Sequence, residues 1–178
     1  MKVTVFGGTL PKPGEHDYLE AVRIGSLLAR SGHIVITGGY MGTMEAVSKG
    51  AAEAGGHVIG VTCEEIERWR SSKANPWVKE EWRCVTLPER MIAMMDACDA
   101  AIVLPGGIGT LAEVTLLWNR MVIQAIPPRP LILIGSNWEA SFKSLFQASG
   151  SYFPENIRAM LQFVPSIDAA IGRLDKKH

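Results

Sequence analysis

The strongest structural signal in this chain is the run Ala100-Ala101-Ile102-Val103-Leu104-Pro105-Gly106-Gly107-Ile108-Gly109-Thr110-Leu111-Ala112-Glu113. Its apolar start, residues 100–104, predicts a buried strand, and a glycine-rich turn follows at 106–109. Beyond the turn, apolar residues recur at the spacing of the inward face of a helix: Leu111, Val114, Leu117, Trp118, Met121 and Val122. We therefore expect a strand, a glycine turn and a helix in direct succession.

A strand, a glycine turn and a helix start in this order form a natural site for an anion. Glycines let backbone N–H groups approach a phosphate closely, and the helix N-terminus adds positive potential. Thr110 adds a hydroxyl donor, and Glu113 places a carboxylate beside that site, which favours chemistry on a nucleotide. The same Thr110-x-x-Glu113 spacing also fits a capping box, in which both side chains only satisfy N–H groups of the helix.

Strands and helices alternate along the rest of the chain. Strands are predicted at 3–6, 34–37, 57–61, 100–104, 131–134 and 163–164. Helices are predicted over residues 14–31, over a segment that runs through about 49–54, and near 138–148. Three more helices are predicted to start at about residue 88, directly after residue 109, and at residue 166. The polar segment 62–81 is predicted to be a solvated loop, with a lid as the alternative. This alternation of apolar strands with helices indicates a parallel sheet covered on both faces, built as a single domain over residues 1–178.

Three glycine-rich turns, at 7–8, 38–42 and 106–109, each follow a predicted strand. Ligands of parallel sheets bind beyond the carboxyl ends of the strands, so we expect these turns to converge on one crevice. None of them reads Gly-x-Gly-x-x-Gly, and none is a phosphate loop that ends in Lys-Ser/Thr. The sequence therefore does not support ordinary use of NAD or ATP.

Composition and charge indicate an ordinary globular protein. Eighteen basic residues balance eighteen acidic ones, whereas proteins dedicated to nucleic acid usually have a basic excess. The three cysteines lack Cys-x-x-Cys spacing and the four histidines lack metal-motif spacing, so we expect reduced thiols and no metal site. No apolar run reaches membrane-spanning length, and the N-terminus has no signal-peptide layout. We expect a cytoplasmic protein that binds neither nucleic acid nor membrane.

Three stretches carry a family resemblance: Gly38-Gly39-Tyr40-Met41-Gly42-Thr43-Met44, then Glu89-Arg90, then Pro105-Gly106-Gly107-Ile108-Gly109-Thr110-x-x-Glu113. In order and spacing, roughly residues 3–140 resemble the Lonely Guy family of cytokinin riboside 5′-monophosphate phosphoribohydrolases, whose older label is possible lysine decarboxylase. The resemblance implies an α/β, Rossmann-like three-layer fold with a central parallel sheet flanked by helices, which agrees with the pattern of elements. It also implies a homodimer or higher homo-oligomer.

The family reaction hydrolyses the N-glycosidic bond of an adenine nucleotide to free base and ribose 5-phosphate. The resemblance implies that Arg90 and Glu113 are catalytic and that no metal or organic cofactor is required. A carboxylate can stabilise an oxocarbenium-like sugar, orient its hydroxyls or activate water, and a guanidinium can bind phosphate or polarise the leaving group. The candidate substrate- and phosphate-binding residues lie in the glycine turns: Gly8, Gly38, Gly39, Gly42, Thr43, Pro105, Gly106, Gly107, Ile108, Gly109 and Thr110.

The chain departs from the family pattern at several positions around these motifs. Tyr40 stands where the family commonly has a third glycine, and Thr43 stands where it has leucine. Pro88 replaces the usual histidine and Met91 the usual lysine. Ala112 replaces a second glutamate. For Tyr40 two roles stay open, a ring stacked on a base or a cover over the crevice. The stripe of Met91, Met94, Met95 and Cys98 is typical of a core or of a subunit interface.

The alternative function is a non-catalytic binder, either a molybdenum cofactor carrier or a nucleotide sensor. Molybdenum cofactor carriers resemble this group, with a similar glycine-rich turn, and would hold a phosphorylated pterin without cleaving it. Lysine decarboxylation is not expected, because pyridoxal phosphate chemistry needs a lysine and none lies in a glycine turn.

Overall fold

The computed structural model describes residues 1–174, and the predicted solvation of Lys176 and Lys177 concerns residues outside this range. The strands are β1 (Lys2–Phe6), β2 (Ile34–Thr37), β3 (Val58–Cys63), β4 (Glu80–Cys84), β5 (Ala100–Val103), β6 (Leu131–Ile134) and β7 (Leu161–Val164). The helices are α1 (His16–Arg30), α2 (Thr43–Glu53), α3 (Glu64–Arg70), α4 (Leu87–Ala97), α5 (Ile108–Val122), α6 (Ser136–Ser149), α7 (Glu155–Arg158) and α8 (Ile167–Leu174), with a 3₁₀ turn at Gly150–Tyr152.

All strands form one parallel sheet in the order β4-β3-β2-β1-β5-β6-β7. The chain builds outward from β1 in one direction and returns to the other side of β1 with β5, where Val3 pairs with Ala100. The strand order therefore reverses between β1 and β5. In open α/β sheets this switch point is where the crevice for a ligand forms.

Helices cover both faces of the sheet, which confirms the predicted three-layer α/β fold. Along β5, alternate residues enter opposite cores: Ala100 and Ile102 pack toward α1, α2 and α8, while Ala101 and Val103 pack toward α4, α5 and α6. Every residue of β5 is thus buried, as expected for a strand with an unbroken apolar sequence. The methionine stripe of α4 contributes Met94 and Met95 to the second of these cores.

The prediction of a loop over residues 62–81 was wrong at both ends of that segment and is confirmed only for residues 71–79. Strand β3 extends to Cys63, helix α3 follows it directly, and the edge strand β4 begins at Glu80. Helix α3 has no buried residue and β4 has only two partly buried ones, so neither shows an apolar pattern in the sequence. Helix α2 also begins earlier than predicted, at Thr43, immediately after the second glycine turn.

Candidate active site

The three glycine turns meet at the switch point of the sheet. The amide of Gly8 donates to the carbonyl oxygen of Pro105 at 3.0 Å, which joins the turn after β1 to the turn after β5. The amide of Thr43 donates to the carbonyl oxygen of Gly8 at 3.0 Å, which joins the turn after β2 to the same place. The predicted convergence on one crevice is therefore confirmed by backbone hydrogen bonds.

Close packing within the crevice explains why glycine is needed at two positions. A Cβ atom at Gly106 would lie 2.1 Å from the hydroxyl oxygen of Thr110, so any larger residue would displace that side chain. Gly42 has a φ of +70°, and a Cβ atom there would lie 2.6 Å from the backbone of Thr9. Gly8 packs against the backbone of Gly106 and Gly39 packs against Gly60 and Thr62 of β3, whereas Gly107 and Gly109 face open space.

Helix α5 begins at Ile108, and its N-cap residue Gly107 provides no side-chain cap. Thr110 and Glu113 therefore lie inside the helix, and the interpretation of this pair as a capping box was wrong. Pro105, Gly106, Gly107, Ile108 and Gly109 are exposed, while Thr110 is buried. The uncapped N–H groups at this helix start open onto the crevice, where a phosphate could accept from them.

A true capping box starts α4 and fixes the position of Arg90. The hydroxyl of Thr86 accepts from the amide of Glu89, and the Glu89 carboxylate accepts from the amide of Thr86. Arg90 follows directly and is only 4% exposed. Its Nε donates to the carbonyl oxygen of Val61 at 2.7 Å. The bare backbone of Gly38 leaves room for the guanidinium, since a Cβ there would lie 1.8 Å from Nη2.

Arg90 and Glu113, which lie on different helices, form a buried ion pair. The Nη1 atom of Arg90 lies 3.6 Å from Oε1 of Glu113, and the Glu113 side chain is 12% exposed. Burial raises the pKa of Glu113 to about 7, against the opposing effect of the Arg90 charge. A carboxyl group with its pKa raised into this range can exchange protons with water or substrate near neutral pH.

Tyr40 forms the floor beside Arg90 and has no face open for a base. Its hydroxyl donates to the carbonyl oxygen of Cys63 at 3.0 Å and accepts from the Cys63 amide at 2.8 Å. The guanidinium carbons of Arg90 and Arg70 lie 5.7 and 5.6 Å from the ring centroid. Burial raises the pKa of Tyr40, so the hydroxyl stays protonated at neutral pH. The ring supports the two cations, and the interpretation that it stacks on a base was wrong for this arrangement.

Three further residues near the pair were not predicted from the sequence to act in the site. Val61 supplies the carbonyl that orients Arg90, and Met44 places its sulfur 3.8 Å from Nη2 of the same residue. Asn75 donates through its side chain to the carbonyl oxygens of Gly39 and Tyr40, which fixes the second glycine turn. A backbone acceptor leaves no trace in sequence, and Asn75 lies in a polar segment without a pattern.

Residues 1–174 contain neither a metal-binding cluster nor a membrane-spanning helix. No group of three or more His, Cys, Asp or Glu side chains in that range is arranged to hold a metal ion. Each helix in that range is too short or too polar to span a bilayer.

The sequence of this chain matches those of known proteins. The model of the SLOG cluster4 family matches residues 1–137. The cytokinin riboside 5′-monophosphate phosphoribohydrolase of Rhodococcoides fascians is 30% identical over 138 residues, which cover 76% of this chain and 68% of that protein. The chain belongs to the Lonely Guy family. A further relative, the pyrimidine/purine nucleotide 5′-monophosphate nucleosidase of Escherichia coli K12, is 30% identical over 92% of this chain but only 38% of its own length.

Solved structures of similar fold include a protein that binds a cofactor. The molybdenum cofactor binding protein of Rippkaea orientalis superposes with a TM-score of 0.75 at 23% identity. The match covers 97% of this chain and 94% of that protein. The Lonely Guy architecture is thus shared with proteins that bind a cofactor, and the fold alone does not distinguish catalysis from binding.

Proposed function

We propose that this protein hydrolyses the N-glycosidic bond of an adenine-type nucleoside 5′-monophosphate, either AMP or a cytokinin riboside 5′-monophosphate. The products are the free base and ribose 5-phosphate. The observation that carries the proposal is the Arg90–Glu113 pair, with Glu113 buried, its pKa near 7 and its carboxylate just beyond a glycine-lined helix start. Relatives in the family are named as phosphoribohydrolases or nucleosidases of nucleoside 5′-monophosphates.

The phosphate of the substrate would bind at the start of α5. Backbone N–H groups at Gly107, Ile108 and Gly109 and the hydroxyl of Thr110 are the donors available there. Glu113 lies about one helical turn further along α5, so a ribose that extends from this phosphate along the helix would reach its carboxylate. This order puts the carboxylate beside the sugar.

The reaction then needs one buried carboxyl group and one water molecule. As the C1′–N bond breaks, its electron pair goes to the base nitrogen and positive charge develops on the sugar. Ionised Glu113 stabilises that charge and accepts a proton from the water whose oxygen bonds to C1′. The proton then passes to the departing base, so that the carboxylate is regenerated.

Arg90 has two roles in this mechanism. Its charge opposes the effect of burial on Glu113 and so keeps a fraction of that carboxyl group ionised at neutral pH. Its Nε donates to the carbonyl oxygen of Val61, and this hydrogen bond fixes the plane of the guanidinium. The outer nitrogens then face Glu113 and the substrate. The predicted homo-oligomer and the absence of a cofactor remain part of the proposal.

The test is an assay for free base by chromatography after incubation with AMP or with N6-isopentenyl-AMP. Wild-type protein is compared with Arg90→Ala and Glu113→Ala, and with Arg30→Ala as a control at an exposed arginine of α1. We expect base release by the wild type and by Arg30→Ala, and loss of release in both site variants. The ratio of the two nucleotide rates decides between a plain and an N6-modified adenine.

The same assay tests the alternative of a non-catalytic binder. A carrier or sensor would bind nucleotide in a phosphate-dependent manner and release no base. That outcome would contradict the proposed hydrolysis and favour the function that the molybdenum cofactor binding protein of similar fold suggests.

A further inference from the structure

Arg70, the last residue of α3, carries a buried donor that no protein group satisfies. Its Nε is buried and has no hydrogen-bond partner among residues 1–174. Two other arginines have protein partners, whereas the Nε of Arg70 has none in the described residues. Arg90 Nε donates to the carbonyl oxygen of Val61, and Arg83 pairs with Glu67 at 2.9 Å. Buried donors in native structures nearly always have an acceptor, so an unpaired one beside a crevice is a candidate contact for a ligand.

Several contacts hold Arg70 at the border of the candidate site. Ser71 adopts a left-handed conformation with a φ of +47°, which ends α3 and turns the chain back. Asn75 then ties the returning segment to the second glycine turn, with its backbone amide 2.7 Å from the carbonyl oxygen of Gly39. The Arg70 guanidinium lies over two rings, 5.6 Å from the centroid of Tyr40 and 5.4 Å from that of Trp69.

The order of the strands shows which part of a nucleotide would reach Arg70. The phosphate donors follow β5, Tyr40 follows β2, and α3 follows β3. Because neighbouring strands lie about 4.8 Å apart, β5 and β3 are separated by roughly 14 Å across the sheet. A nucleotide with its phosphate at α5 and its ribose at the Arg90–Glu113 pair therefore extends its base toward α3.

We propose that Arg70 contacts the leaving base and donates a hydrogen bond from Nε to an acceptor nitrogen of that base. The inference rests on the proposed function, which supplies the orientation of the nucleotide. The base gains the electron pair of the breaking C1′–N bond, so a cationic donor binds it more strongly as the bond breaks. Arg70 thus contributes both to affinity for the base and to the rate of its departure.

The test compares two ligands that differ only by the base, AMP and ribose 5-phosphate. Binding is measured by titration calorimetry in a Glu113→Gln background, which prevents turnover. Arg70→Ala is expected to weaken AMP binding about 10- to 100-fold and to leave ribose 5-phosphate binding unchanged. Arg68→Ala, at an exposed arginine of the same helix, is the matched control and should change neither affinity.

A second variant guards against a purely structural effect. Arg70→Lys keeps the charge over the two rings but lacks the Nε donor, so it should retain the wild-type melting temperature and still lose affinity for AMP selectively. Unchanged AMP affinity in both variants would overturn the inference, and so would an equal loss for AMP and ribose 5-phosphate. Because binding needs no turnover, this comparison decides the role of Arg70 even if the wild type releases no base, a result that would contradict only the hydrolysis.

Discussion

Glu113 is the residue at which protein environment and proposed chemistry are most closely linked. Its carboxyl group has a pKa of about 7, raised by burial and held down in part by Arg90. The mechanism uses the ionised form, so kcat/KM for AMP should rise as pH increases through about 7. A pH–rate profile measures this directly. An acidic limb near the ordinary carboxyl value of 4.5 would contradict the assignment.

The same pKa makes a prediction about stability. Between pH 4.5 and 7 the native state binds a proton at Glu113 that the unfolded chain has released, so this group destabilises the fold as pH rises through that window. Glu113→Gln removes the group, and the variant should lose less stability than the wild type between pH 5 and 8. Urea unfolding at both pH values measures the difference. Parallel pH dependence in the two proteins would rule the effect out.

Two glycines of the site should respond in opposite ways to an added methyl group. Gly109 lies in the first turn of α5 and faces open space, so Gly109→Ala should stabilise the protein by roughly 0.5–1 kcal/mol while weakening phosphate binding. At Gly38 the new Cβ would meet the Arg90 guanidinium, so Gly38→Ala should reduce both stability and activity. Thermal unfolding together with ribose 5-phosphate binding separates the two. A Gly109→Ala variant with unchanged phosphate affinity would remove Gly109 from the binding site.

At the scale of elements, α4 depends on its capping box to present Arg90. Thr86→Ala removes the hydroxyl that accepts from the Glu89 amide at 3.3 Å, and should destabilise the protein by about 1 kcal/mol. Thr86→Ser keeps the hydroxyl and is the conservative control. Denaturant unfolding of the two variants measures the contribution. Equal stability of Thr86→Ala and wild type would show that the cap has no energetic role.

Elements with a strong apolar pattern could be predicted, and those without one could not. The segment from Ala100 to Glu113 contains an unbroken apolar strand, a glycine turn and an amphipathic helix, and all three occur as expected. Strand β4 lies at the edge of the sheet and helix α3 buries no residue, so their sequences resemble a loop. Short turns such as α7 depend on tertiary contacts for the same reason.

Some features of the candidate site could be predicted from the sequence and others could not. The positions of the glycine turns followed from the rule that ligands bind at the carboxyl ends of parallel strands. The sequence alone could not show that Thr110 and Glu113 lie inside α5 and do not cap it. The start of a helix can be predicted from sequence only to within one or two residues. The contact between Arg90 and Val61 joins residues 29 positions apart through a backbone carbonyl, which no side-chain pattern encodes.

At the scale of the whole molecule, the order of the strands assembles the site. The sheet reverses between β1 and β5, and this places turns from three distant parts of the chain within backbone hydrogen-bond distance. Helices α4 and α5 then cover the same face and bring Arg90 to Glu113. The fold thus brings an uncapped helix start, a buried acid and a cation into one crevice, and the proposed hydrolysis of a nucleotide rests on this arrangement.

The most direct test of hydrolysis at this crevice is the amount of base and ribose 5-phosphate formed from AMP by wild type and by Glu113→Gln. We expect equimolar products from the wild type and a rate reduced by roughly 10²- to 10⁴-fold in the variant, with ribose 5-phosphate still bound. Wild-type rates in Glu113→Gln, or no products from the wild type despite nucleotide binding, would contradict the proposed activity.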